Sequence, residues 1–230
     1  MKEDTPGMRE WSALEEAAGA LRRLNRAVAG RDVTDDVLRE LAQAVDRLTD
    51  GLEARPLRDK GVDMATLDDL AAAVEGRPLP VAVGEPVEFD PFSAGGGRLH
   101  PASVGMDVRR DADTAVVASV RVDPMFQGPP GRVHGGILAI VIDELMGTVN
   151  RMIGQRAYTA RLAIDFRAAA PIDAELTFRA WLHEQRGRKI TMRAEGRAAV
   201  GVFLEAEALF VTPRPDTPDG APQHQTVVGE

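Results

Sequence analysis

Hydrophobic positions in the first fifty residues recur at steps of three and four. From Arg9 to Ala29 they fall on one face, which is typical of an amphipathic helix that Gly30 would end. Thr34 is a favourable N-cap for a second helix, in which apolar residues keep the same spacing to Leu52. The pattern predicts a helical hairpin, interpreted as a packing or oligomerisation element, with a regulatory or partner-binding role as the alternative. A further short helix is predicted from Thr66 to Val74.

From Val104 onwards the period changes to two, which indicates half-buried antiparallel strands. The short segments Asp111–Asp113 and Arg186–Arg188 are typical of hairpin turns. Between the first and the later strands lies Ile137–Val149, which is apolar on nearly every side. Such a segment predicts a buried helix, and at about 15 residues it is too short to span a membrane. The predicted strands cover 116–122, 161–167, 176–183, 190–195 and 202–210, the last with Phe203 on the polar side of the alternation.

This order of elements, strands followed by one buried helix and then by a strand meander, indicates an α+β fold. The apolar face of a sheet must be covered, and the simplest cover is the buried helix, around which an antiparallel sheet would curl. One helix leaves the sheet edges open, so edge pairing in a dimer is expected. The predicted organisation is a helical N-terminal extension over residues 1–80, the sheet-and-helix domain over residues 81–212 and a disordered tail over residues 213–230.

A loop-rich stretch, residues 76–101, separates the helical extension from the first strands. It contains the triple glycine Gly95–Gly97, which is interpreted either as a flexible lid or as a plain surface loop. The stretch lacks the Lys-Ser/Thr pair of a phosphate-binding loop, which argues against nucleotide binding there.

Composition narrows the function classes. The net charge of −8 and the single Tyr argue against nucleic-acid binding. Cys is absent, which excludes Cys-ligated metals and thiol catalysis. The four His residues show no metal-ligand spacing, so no metal and no other cofactor is predicted. No apolar run follows a basic N-terminal flank, so neither a signal peptide nor a membrane span is predicted, and the expected location is the cytoplasm.

Two adjacent carboxylates, Asp143 and Glu144, lie in the middle of the predicted buried helix. A buried charge without a partner is very costly, so at least one of them must reach a cavity, a subunit boundary or a partner. At helical spacing Asp143 shares its face with Gly136, Ala139 and Gly147, a strip of small residues that a ligand can approach closely. Asp143 is therefore predicted as the working group and Glu144 as a structural or supporting acid.

Gly135 and Gly136 fall at the predicted start of this helix. The first N–H groups of a helix have no partner inside it and point outward at the positive end of its dipole. Because glycine has no side chain, a substrate oxygen that develops negative charge can come close to these donors. Backbone donors with a carboxylate one or two turns further along predict a site for acyl transfer.

The run Gly-Pro-Pro-Gly-Arg-Val-His-Gly-Gly at residues 128–136, with Asp143 seven residues later, resembles the hotdog-fold acyl-CoA thioesterases of the phenylacetate-pathway thioesterase-like superfamily. The resemblance covers about residues 88–212. It implies the hotdog fold, a curled antiparallel sheet around one long central helix. It also implies hydrolysis of an acyl-CoA, or a similar acyl thioester, by a homo-oligomer that is a dimer or a tetramer. The substrate class follows from the resemblance and not from composition.

The resemblance also implies residue roles. The backbone amide of Gly136 would bind the thioester carbonyl, and Asp143 would act as general base or nucleophile. Thr159 would help to place water or substrate across the dimer interface. His134 is interpreted as holding the turn in preference to direct acid–base work. Many relatives carry an Asn in the loop before this His, where the present chain has Gln127.

Further residues are candidates for contacts with the substrate. A CoA-type substrate carries phosphates, which basic side chains can bind, although such side chains are solvated surface charges by default. The alternative function is a non-catalytic acyl or aromatic ligand-binding module of the same fold. A hotdog dehydratase is disfavoured, because those relatives pair an Asp and a His about five residues apart at the helix start. The candidate substrate contacts are Gly135, Glu144, Gln127, Arg132, Arg188 and Lys189.

Overall fold

The structure is a computed structural model that describes residues 11–59, 61, 63, 76–88 and 90–214. The predicted helix at Thr66–Val74 and residues 215–230 of the predicted tail lie outside these described residues. The elements are helices α1 (Ser12–Gly30), α2 (Asp35–Glu53) and α3 (Gly135–Met152), and strands β1 (Asp107–Ala112), β2 (Ala115–Arg121), β3 (Tyr158–Phe166), β4 (Glu175–Arg186), β5 (Lys189–Ala198) and β6 (Gly201–Val211). None of the helices in the described part is long and apolar enough to cross a membrane.

The six strands form one antiparallel sheet in the order β1-β2-β4-β5-β6-β3. The β1–β2 and β4–β5 hairpins turn at the two predicted segments, and Gly187 has a φ of 55° in the second turn, which favours glycine. Strand β3 follows the central helix and lies at one edge of the sheet, paired with β6 alone. Its other edge is therefore open among the described residues.

The central helix α3 packs across the sheet and contacts strands β2 to β6. The side chains on its sheet-facing side are fully buried, as are the inward positions of the strands that oppose them. The predicted α+β hotdog architecture, with helices at the N-terminus, is confirmed. The largest buried side chains of this core include Ile142, Leu145, Met146, Phe178, Ile190, Met192, Phe203 and Leu204.

Strand β6 departs from the predicted alternation at Phe203. The sequence pattern places Phe203 on the polar face, yet its side chain is fully buried and meets Phe178 edge-to-face with ring centroids 5.6 Å apart. The register shifts here, because Gly196 pairs with Leu204 and the next residue of β5 pairs with Val202. Phe203 is thus the extra residue of a β-bulge, which turns it inward and breaks the period of two.

The triple-glycine loop is not a plain surface loop, so that alternative is wrong, whereas the flexible lid stays a prediction. Gly95 and Gly97 are buried, and a Cβ on Gly95 would lie 2.8 Å from the Cγ of Glu144 in α3. On its other side the loop meets α1, since Arg22 donates to the carbonyls of Arg98 at 3.0 Å and His100 at 2.7 Å. The missing side chains let this loop lie flat between α1 and α3.

Replacing Gly95 with Ala is expected to lower the free energy of unfolding by about 1–3 kcal/mol, because the added methyl would overlap the side chain of Glu144. Urea denaturation measures this change. Gly147→Ala is the matched control, since a Cβ there meets nothing within 4 Å and Ala favours a helix by up to about 1 kcal/mol. Equal stability of the Gly95→Ala protein and the wild type would contradict the close packing.

Candidate active site

The candidate site lies where the loop of residues 126–134 enters helix α3. The loop closes on itself, because the N–H of Gly128 donates to the carbonyl of Arg132 at 2.9 Å, and Gly131 has a φ of 76°. The N–H of His134 donates to the carbonyl of Phe126 at 3.0 Å, which joins the two ends of the loop. These bonds fix the direction in which the chain begins the helix.

His134 is the N-cap of α3. Its Nδ1 accepts a hydrogen bond from the N–H of Gly136 at 3.0 Å, while the N–H groups of Ile137 and Leu138 donate to its carbonyl. The N–H of Gly135 is then the one donor of the first turn with no acceptor among the described residues. The open donor at this helix end is Gly135, and that of Gly136 is engaged by an imidazole.

Asp143 lies two turns further along and its side chain is half-buried. Its Oδ1 accepts a hydrogen bond at 2.8 Å from the Oγ1 of Thr159, which lies in β3 just before a bulge. Both residues belong to the same chain, whereas the resemblance implied a contact across the dimer interface. Among the described residues no cation pairs with Asp143, and Oδ2 has no partner. The carboxylate is thus oriented on one side and open on the other.

Glu144 lies on the next face of the helix, beneath the triple-glycine loop. It pairs with Arg151 at 3.8 Å, and the guanidinium of Arg151 also donates to Thr148 at 3.0 Å. Burial raises the pKa of Glu144, an effect that Arg151 opposes and that Asp90 reinforces. Burial likewise lowers the pKa of Arg151, against the pull of Glu144. The structure gives Glu144 a place in the packing of the loop on α3, and its contact with substrate stays a prediction.

Replacing Arg151 with Met is expected to lower the free energy of unfolding by about 1–3 kcal/mol at neutral pH, because the largely covered Glu144 would lose its cation. A buried acid whose pKa is raised binds its proton more tightly in the folded state than in the unfolded state. Its destabilising effect is therefore largest above the folded pKa and fades as the pH falls through it. Urea denaturation over about pH 5 to 8 measures both trends.

The double variant Glu144→Gln/Arg151→Met is the control for that experiment. It removes both charges, so most of the lost stability should return and the added pH dependence should vanish. A loss of stability that is the same at every pH, or that the second substitution does not relieve, would contradict the role given to this ion pair.

An exposed aromatic residue that the sequence pattern missed lies beside the helix start. The alternation in β3 places Phe166 on the buried face, but its side chain is 54% exposed. Its ring lies 3.4 Å from the position that a Cβ on Gly135 would take. Ile140 is exposed nearby on the same side of α3 as Asp143. The ring of Phe166, on edge strand β3, therefore gives the backbone donor an exposed apolar neighbour.

The remaining predicted contacts are spread out. The side chain of Gln127 accepts from the N–H of Gly131 at 3.3 Å and so supports the loop. Arg132 is exposed two residues before His134. Lys189 lies opposite Val211, which in turn lies opposite Tyr158 of β3, so Arg188 and Lys189 occupy the sheet end near Thr159, about two strand spacings or 10 Å away. No group of three metal-binding side chains occurs in the described part of the chain.

Comparison with known proteins places this geometry in context. Residues 130–203 match the model of the thioesterase superfamily. The chain is 28% identical to acyl-coenzyme A thioesterase THEM4 of Xenopus laevis over 44% of this chain and 46% of that protein. It is 33% identical to THEM4 of Mus musculus over 40% and 41% of the two chains. The chain thus spans less than half the length of the curated relatives it matches.

A crystal structure supplies a likeness over more of the chain. Protein RHA08564, a thioesterase superfamily protein, is similar to this chain with a TM-score of 0.69 and 26% identity, over 87% of this chain and 91% of that one. That share of this chain is more than residues 81–212 can supply, so the likeness extends into the N-terminal helices.

Proposed function

On the premise that the chain carries a hotdog domain of the thioesterase superfamily, we propose that it hydrolyses an acyl-CoA, or a similar acyl thioester, to a free acid and a thiol. The observation that carries this proposal is the Asp143 carboxylate, half-buried, held by Thr159 and paired with no cation among the described residues. It lies on the same helix as an open backbone donor at Gly135. The acyl-CoA substrate class is supported by the similar proteins, which are named acyl-coenzyme A thioesterases.

The first donor to the thioester carbonyl is the N–H of Gly135. The N–H of Gly136, which the resemblance favours, is engaged by the Nδ1 of His134. Gly136 becomes a second donor when the imidazole rotates away or takes a proton on Nδ1, since it then has no lone pair to accept the bond. His134 therefore controls how many donors face the developing negative charge on the carbonyl oxygen.

Asp143 acts as general base or as nucleophile. As a base, it takes a proton from water while the water oxygen bonds to the carbonyl carbon. The C–S bond then breaks, and the leaving sulfur takes the proton that Asp143 holds and departs as the thiol. As a nucleophile, its carboxylate displaces the sulfur as a thiolate and forms a mixed anhydride. Water then hydrolyses the anhydride to the free acid and the Asp143 carboxylate, and the thiolate takes a proton from solvent. Thr159 restrains Oδ1 in either case, which leaves Oδ2 for the water or the carbonyl carbon. Among the predicted basic contacts for CoA phosphates, Arg132 is nearest in sequence to the Gly135 donor, three residues before it.

A panel of acyl-CoAs with a free-thiol readout tests the proposal. The chain has no Cys, so the protein itself adds no thiol signal. Release of one thiol for each acid formed is the expected result, and the panel would rank short, long and aromatic acyl groups. Binding of acyl-CoAs without release of thiol from any of them would favour the non-catalytic ligand-binding module instead.

We also propose that the active form is a homo-oligomer. Strand β3 has an open edge, and most of its side chains are exposed on both faces, including Tyr158 at 58% and Phe166 at 54%. Open apolar edge strands are sites of pairing with another chain. Pairing of two β3 edges would cover Phe166 and enclose the open side of Asp143.

A further inference from the structure

Helix α2 has an apolar face that nothing in the described chain covers. No residue of its 19 is buried. It stands across a groove of about 630 Å³ from α1, with Met125 of the loop before α3 at one end. Leu21, Leu24 and Val28 of α1 line the groove on one side and Leu38, Leu41 and Val45 of α2 on the other.

Both helices carry the sequence pattern of bundle helices. In α2 the apolar residues Leu38, Leu41, Val45, Leu48 and Leu52 alternate steps of three and four, as in a heptad repeat. These apolar residues form a stripe along the helix, called the seam below. The positions on either side of the seam are small or uncharged. The apolar stripe is therefore wider than a two-stranded coiled coil needs, which favours a bundle of more than two helices. In α2 these flanking positions are Ala42, Ala44, Thr49 and Gly51, and in α1 they are Ala13, Ala18, Ala20, Asn25 and Ala27.

Part of the seam lies beyond the groove and faces solvent. Leu48 is 71% exposed and Leu52 is 73% exposed, and neither lines the groove. Closing the groove by moving α1 against α2 would leave both side chains uncovered by the part of the chain that the structure describes. An apolar surface of this extent marks an interaction site.

The area matches a protein partner. At a rise of about 1.5 Å per residue each 19-residue helix is about 28 Å long, and at a diameter of about 10 Å the two present on the order of 600 Å². Each partner in a standard interface buries about 800 Å². Among the charged residues of α2, Arg39, Glu40 and Arg47 lie on the opposite face and stay in solvent, whereas Asp46 lines the groove.

We propose that the α1–α2 hairpin docks onto the same hairpin of a second copy of this chain and forms a four-helix bundle. A two-fold arrangement places each α2 over the groove of its partner, which buries Leu48 and Leu52 and fills the space between α1 and α2. This interface is separate from the β3 edge, and it does not depend on the thioesterase proposal.

Single cysteines in the otherwise Cys-free full chain test this docking. Val45→Cys, Leu48→Cys and Leu52→Cys place thiols along the seam, and Gln43→Cys places one on the opposite face of α2. Under mild oxidation, at least one seam variant is expected to form a disulfide-linked dimer while Gln43→Cys remains unlinked, since a thiol reacts with its symmetry mate only near the two-fold axis. No cross-link at any seam position, or equal cross-linking at Gln43, would overturn the proposal.

Sedimentation of full-length proteins gives a second measurement. Leu48→Glu/Leu52→Glu is expected to halve the mass of the assembly at micromolar concentration. Gln43→Glu/Arg47→Gln, which changes the net charge by the same −2, should leave it as in the wild type. An unchanged mass in the seam variant would overturn the proposal. If that variant instead raised KM for long-chain but not short-chain acyl-CoAs, an acyl chain would be the occupant of the groove.

Discussion

Replacing Asp143 with Asn is expected to lower kcat/KM for thioester hydrolysis by about 10²–10⁴-fold, the range that a positioned general base supplies. Asn keeps the volume and can still accept the hydrogen bond from Thr159, so the helix and the strand should stay in place. What it lacks is a carboxylate oxygen that can take a proton from water or attack the carbonyl. The measurement is steady-state release of thiol, with circular dichroism to verify the fold.

Asp113→Asn is the control for this variant. Asp113 lies in the β1–β2 turn with its side chain 93% exposed, and the proposed reaction gives it no role. Its removal should leave turnover unchanged. Wild-type rates in the Asp143→Asn protein would reject Asp143 as the working carboxylate and would leave the site without an acid to replace it, since Glu144 is held by Arg151.

Turnover in ¹⁸O-labelled water separates the two roles of Asp143. A nucleophilic carboxylate forms an anhydride, and attack of labelled water on the Asp143 carbonyl of that intermediate leaves ¹⁸O in the enzyme. A general base activates water that attacks the substrate directly, so the label appears in the acid product alone. Mass spectrometry of the peptide that contains Asp143 reads the difference.

Much of the fold could be predicted because the spacing of the hydrophobic residues indicates whether a segment is a helix or a strand. The apolar segment after Gly135 has no polar side except its two acids, and it forms the helix at the centre of the sheet. The alternation from Ala115 onward likewise predicts strands β2 to β6. These patterns are set by which face each residue turns to the core, and that information is local. The burial of Phe203 could not be predicted, because a bulge shifts the register without changing the alternation of the sequence.

The contacts around the candidate site are harder to predict from the sequence, because they join distant segments. The small face of α3 is the pattern that favours Asp143 over Glu144, and that assignment stays a prediction. The ion-pair partner of Glu144, Arg151, lies about two turns along the same helix, and the sequence does not show that the triple-glycine loop covers Glu144. No periodicity shows that the His134 imidazole turns back on the helix and occupies the N–H of Gly136. Side-chain rotamers at a helix start are set by the three-dimensional surroundings, which a linear pattern does not contain.

Replacing Gly135 with Pro is expected to lower kcat by about 10²–10³-fold, the cost of losing one donor to the developing oxyanion. Gly135 is the first residue of α3, where proline is tolerated, because its fixed φ suits a helix and the missing N–H has no partner inside the helix. The preceding residue, His134, already has the extended conformation that proline requires, with φ −64° and ψ 133°. The substitution therefore deletes the donor while the helix start is kept.

Gly135→Ala is the matched control, since it adds a side chain but keeps the N–H. A Cβ at this position meets the ring of Phe166 at 3.4 Å, a contact that both variants share. If the donor is what matters, the alanine protein should retain most of its turnover and the proline protein should lose it in kcat more than in KM, because the bond strengthens in the transition state. Equal losses in the two variants would assign the effect to crowding against Phe166. A Gly135→Pro protein with the kcat of the wild type would show that the N–H of Gly136 binds the carbonyl. The substrate would then have to displace the His134 imidazole from that N–H in every turnover.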